Sequence, residues 1–129
     1  MAIVTKSFPV TLLDGSGTIY LMSNQVVLIE GTNGDAKLKV SFNGEGLKTF
    51  ESSDDITTAV TGLLALAETF ITVPTAEGNI YLNAYFIKLV EPVDGSNSII
   101  FYDDEFGEVV NKYEITESAS AVNTKIAAL

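Results

Sequence analysis

The densest group of chemically capable side chains is Asp103, Asp104, Glu105 and Glu108, four carboxylates within six residues. Hard oxygen ligands at this density could hold calcium or magnesium, and a carboxylate pair could serve as general acid and base on a glycoside. The spacing favours neither use. The segment lacks the ligand pattern of an EF-hand loop, and a chain without Trp offers no strong aromatic platform for a sugar. A solvated acidic turn is expected, with a cation site as the weaker reading. Gly15-Ser16-Gly17 and Gly44-Glu45-Gly46 are not followed by Gly-Lys-Ser/Thr, so they read as turns and not as phosphate cradles. Tyr20 and Tyr81 each sit in an Ile-Tyr-Leu run and are the candidate interface residues, expected to pack where two halves of the chain meet.

The missing residue types exclude more than the present ones suggest. The 129 residues include no His and no Cys, which removes Ser-His-Asp and Cys-His nucleophiles, thiol redox chemistry and ordinary zinc, iron or copper sites. No enzyme activity and no cofactor are expected. All seven basic residues are lysines (Lys6, Lys37, Lys39, Lys48, Lys88, Lys112, Lys125), against 17 acids, for a net charge of -10. Without guanidinium forks and with this sign of charge, nucleic acid is not an expected partner. Apolar runs such as Leu63 to Ala67 are far too short to span a bilayer, so no membrane partner is expected either. The first residues carry no pattern of a secretory signal, which makes assembly in a cytoplasm the default. A 47% apolar composition under an acidic surface suggests burial against copies of itself, a homo-oligomer.

Shifting the sequence by 61 residues lays Gly17-Thr-Ile-Tyr-Leu over Gly78-Asn-Ile-Tyr-Leu. Leu28, Glu30, Gly34 and Gly46 then meet Leu89, Glu91, Gly95 and Gly107, giving eight identities over positions 17 to 46 without a gap. Leu38 and Val40 fall on Ile99 and Phe101, and one extra residue after Gly107 restores the later register. The chain therefore reads as a single domain, 1–129, built of two repeats at about 6–68 and 69–129.

The elements that must position these residues follow from periodicity. Extended segments are expected over Lys6 to Leu13, Thr18 to Leu21, Gln25 to Glu30, Ala36 to Phe42 and Leu47 to Glu51, separated by Gly, Asn and Asp turns. Ala36, Leu38, Val40 and Phe42 alternate with Lys37, Lys39 and Ser41, the pattern of a sheet with one wet face. Ile56, Ala59, Val60, Leu63, Leu64 and Ala67 keep a helical stripe, capped by Ser52, Ser53, Asp54 and Asp55. The second half repeats this with strands over Phe70 to Pro74, Tyr85 to Glu91, Ser98 to Tyr102 and Glu108 to Thr116, then a helix from about Ser118. The expected fold class is α+β: a tandem-duplicated unit of antiparallel hairpin-linked strands followed by one helix, two copies about a pseudo-two-fold axis.

An acidic, Cys-free, Arg-free chain of Gly/Asn/Asp-turned strands, with helices of the Asp54-Asp-Ile-Thr-Thr-Ala-Val-Thr-Gly-Leu-Leu type, resembles small virion structural proteins of tailed bacteriophages. That resemblance implies a non-enzymatic head decoration or head-tail accessory component, localised to the virion and assembled in the host cytoplasm. Its partners would be itself and other virion proteins. The alternative is a small calcium- or carbohydrate-binding module using the loops at Asp94 to Asn97 and Asp103 to Glu108.

Overall fold

Strands form wherever apolar and polar side chains alternate between turn residues. The computed structural model describes residues 7–32, 35–41, 47–55, 58, 61, 69–102 and 111–129. Among these the strands are β1 (Ser7–Thr11), β2 (Thr18–Met22), β3 (Val26–Thr32), β4 (Asp35–Ser41), β5 (Leu47–Asp55), β6 (Phe70–Thr75), β7 (Gly78–Asn83), β8 (Ile87–Pro92), β9 (Ser98–Tyr102) and β10 (Asn111–Ile115). Short 3₁₀ turns, Ser23–Gln25 and Ala84–Phe86, precede β3 and β8. A nine-residue helix, Ala119–Ala127, follows β10.

All pairings are antiparallel, and three sheets result: β1-β2, β5-β4-β3-β7-β6 and β10-β9-β8. The central sheet is dictated by β3. Val26, Val27, Leu28 and Ile29 are all fully buried, so this run tolerates water on neither face and lies between two other layers. Ile29, Leu38 and Val40 turn to one face and pack on Val10 and Leu21 of the β1-β2 hairpin. Leu28, Ile71, Val73 and Leu82 turn to the other and pack on Ile100, Tyr102 and Ile115 of the three-stranded sheet, with Val122 of the helix. The result is a three-layer β-sandwich with two cores.

The expected α+β fold is thereby corrected. Among the described residues the protein is mostly β, in three sheets with a helix at the C-terminal end, and it is not a pair of hairpin-plus-helix copies about a two-fold axis. Pairing between β3 and β7 (Leu28↔Leu82, Ile29↔Tyr81) fuses strands of both halves into one sheet. An interior strand needs partners on both edges for its backbone groups, and β7 supplies the second one.

Local expectations change with it. Ser52 to Asp55, expected to cap a helix, belong to β5. Leu13 N–H donates to the Glu51 carbonyl at 3.0 Å and Leu12 bridges Ser52, so the backbone just after β1 holds this segment extended. Of the helix expected after it, Thr58 and Thr61 are helical and the other positions lie outside the described residues. The Asn33-Gly34 and Asn43-to-Gly46 turns also lie outside them. The second helix starts where expected, with the Ser118 hydroxyl accepting the Ala121 N–H at 3.1 Å. The supposed wet face of β4 is half-buried at Lys37 and Lys39, because the three-stranded layer approaches it.

The sequence register needs one correction. Leu38 faces Ile29 across β3-β4, whereas Ile100 faces Val90 across β8-β9. The residue that takes the place of Leu38 is therefore Ile100 and not Ile99, and Tyr102 takes that of Val40. The extra residue sits before β9, in the turn at Asp94 to Asn97.

Candidate functional site

The acidic cluster Asp103, Asp104, Glu105 and Glu108 lies outside the described residues. Among the described ones, no three or more carboxylates gather as a metal site. The other loop singled out in the sequence satisfies itself. Asp94 Oδ1 accepts the N–H groups of Ser96 and Asn97 at 2.7 and 2.8 Å, and the Asn97 amide nitrogen reaches both carboxylate oxygens. These bonds, the Ser96 N–H foremost and the Asn97 side chain next, hold the Asp94 carboxyl below its ordinary range. Asp14 is lowered in the same way, first by the Ser16 hydroxyl and then by the Ser16 N–H. Both are turn-forming aspartates whose lone pairs the chain already uses.

Polar chemistry concentrates instead at the seam between the central and three-stranded sheets. Glu30, Lys37 and Glu51 stand side by side across β3, β4 and β5, with Lys37 Nζ 3.8 Å from Glu51. Tyr113 from β10 donates its hydroxyl to Glu30 Oε2 at 2.8 Å. Burial first, then the bond to Glu30 and its charge, pushes the Tyr113 phenol well above its usual value. Lys39 Nζ donates to the Tyr102 hydroxyl at 3.4 Å. These bonds fasten one layer to another.

A shallow groove of about 560 Å³ runs between β6 and the C-terminal helix, lined in part by Phe70, Pro74, Lys125 and Leu129. Its polar wall is internally matched. Lys125 Nζ donates to the Thr72 carbonyl at 2.8 Å and lies 2.9 Å from each Glu117 oxygen. The ammonium thus covers a carbonyl of edge strand β6.

The two candidate tyrosines part company. Tyr81 is half-buried against the first core and sits opposite Ile29 where the halves join. Tyr20 lies on β2, 67% exposed, with Met22 also exposed beside it. Exposed apolar residues missed in the sequence include Leu89 on β8 and Val93 after it. Nothing in the sequence marks Leu89 as exposed, because the 61-residue shift aligns it with Leu28, a fully buried residue.

No protein-family model matches the chain, and no curated protein matches it. Among solved structures it is similar to the LytTr DNA-binding domain of a putative methyl-accepting/DNA response regulator from Bacillus cereus. The TM-score is 0.63 at 13% identity, covering 95% of this chain and 97% of that one. The shared property is the fold, and that neighbour is titled as a binding domain rather than as an enzyme. The expected virion role and its calcium- or carbohydrate-binding alternative are corrected by this likeness to a domain titled as DNA-binding. The likeness also stands against the partner expectation that excluded nucleic acid, since the neighbour is titled as a DNA-binding domain.

Proposed function

We propose that the chain is a non-catalytic binding domain with a LytTr-like fold, and that its ligand is duplex DNA. What supports this reading is a likeness of fold along nearly the whole of both chains to a domain titled as DNA-binding. Charge then sets the terms of binding. Among the described residues Lys48, Lys88 and Lys112 are the exposed lysines, while Lys37 faces Glu51, Lys125 is held by Glu117 and Lys39 meets Tyr102. Three lysines neutralise three phosphates, for a slope of log affinity against log salt of roughly -2.7. Binding should weaken roughly fortyfold between 50 and 200 mM salt, well short of the loss seen with six to ten phosphate contacts.

Fluorescence anisotropy of a labelled duplex, titrated with protein across that salt range, tests the reading. Binding with the shallow slope, lost in a Lys48→Glu/Lys88→Glu/Lys112→Glu variant that keeps its circular dichroism spectrum, is the expected result. No change in anisotropy at 50 mM salt with near-millimolar protein would overturn it.

A further inference from the structure

The order of elements runs twice along the chain: two strands, a 3₁₀ turn, then three strands. The 3₁₀ turns lie 61 residues apart, and so do the bulges at Val26/Leu28 in β3 and Ile87/Leu89 in β8. In each half a hairpin packs over a three-stranded meander, β1-β2 over β3-β4-β5 and β6-β7 over β8-β9-β10. The halves join because the outer edge of the first meander, β3, pairs with the outer edge of the second hairpin, β7.

That junction leaves its two counterparts without a strand partner among the described residues, with the C-terminal helix packed beside β8. Strand β8 stands where β3 stands and β2 where β7 stands, and among the described residues neither has a strand on its outer edge. Exposure follows. Leu28 is fully buried but Leu89 is 54% exposed, and Tyr81 is half-buried where Tyr20 is 67% exposed. Within one chain the open edges cannot meet, since β1-β2 and β8-β10 lie on opposite faces of the central sheet. We propose that they meet between two copies of this chain, β8 of one pairing antiparallel with β2 of the next in the register of the internal junction. Shifting Leu28↔Leu82 and Ile29↔Tyr81 by 61 residues places Leu89 of one copy opposite Leu21 of the next, and Val90 opposite Tyr20.

Several substitutions between the halves suit this arrangement. The outward positions of β4, Lys37 and Lys39, become Ile99 and Phe101 on β9 once the register is corrected. The outer face of the second meander is thus more apolar than the face of the first that already meets a neighbouring layer. Lys88 stands in the place of buried Val27, and its long stem can lie along the joint while the ammonium reaches water. A joint between unlike edges is heterologous, so copies add head to tail into a ring or an open row. The inference comes from strand register and stands apart from the DNA reading.

The chain has no cysteine, which makes an engineered disulfide a clean ruler of register. In the double variant Tyr20→Cys/Val90→Cys, facing antiparallel positions come within disulfide range. Mild oxidation should give a ladder of covalent multimers that collapses on reduction, whereas each single variant stops at dimers. Light scattering on the unmodified protein should show a mass rising with concentration above 13.8 kDa. Mixing Tyr20→Glu with Leu89→Glu, each blocked at one exposed edge and folded by circular dichroism, should double the mass and stop there. A strict monomer at millimolar concentration, or a double variant that forms no more than dimers, would overturn the proposal.

Discussion

Tyr113 and Glu30 show how one hydrogen bond can report on the whole sandwich, because it joins the three-stranded layer to the central one. Tyr113→Phe deletes the donor and leaves a carboxylate at the seam without it, at a cost of about 1–2 kcal/mol, readable in urea unfolding at pH 7. Since the folded phenol lies above its ordinary 10.0, the fold favours the neutral form. Its stabilising contribution is present below pH 10 and drains away as pH rises past it. Unfolding free energies across pH 9 to 11 should therefore fall more steeply for the wild type than for Tyr113→Phe. The recurring Gly-x-Ile-Tyr-Leu glycines have a backbone reason: Gly17 and Gly78 adopt φ of 131° and 119°, where side chains strain the chain. Gly78→Ala should cost about 1–3 kcal/mol in thermal or urea melts. Gly95, with ordinary φ and open space around it, should accept Ala within about 0.5 kcal/mol.

At the scale of elements, the C-terminal helix is short and mixed in composition, so its cap and its packing have to hold it. Val122 is fully buried and Ile126 packs beside it, whereas Leu129, expected on the same stripe, is half exposed. Ser118→Ala removes the acceptor for the Ala121 N–H and should cost about 1 kcal/mol, with helical signal lost before the sheets melt. The opposite error, a helix cap expected at Ser52 to Asp55, shows what local preference misses. Serine and aspartate suit caps, but here the partner backbones of β4 and of Leu12, just after β1, make the segment a strand.

For the molecule as a whole, the β3-β7 pairing makes two similar halves share a sheet, and it predicts one unfolding transition instead of two. Leu28 stands at that joint, fully buried against the second core. Leu28→Ala should cost about 2–5 kcal/mol, and far-UV circular dichroism and tyrosine fluorescence should still trace one coincident transition. Separate transitions for the two signals would mean that each half folds on its own.

The sequence by itself determined the strands whose side chains alternate or stay apolar, the turn glycines, the final helix with its Ser118 cap and the recurrence of Gly-x-Ile-Tyr-Leu, because these rest on neighbours a few residues away. Only the tertiary structure decided that Leu28 is interior while Leu89 is exposed, that Tyr81 is covered while Tyr20 is not, and that Lys39 meets a tyrosine. Each outcome depends on which strand edge finds a partner more than fifty residues distant. The composition pattern of β3 and β8 is nearly the same, and long-range pairing alone makes one a central strand and the other an edge.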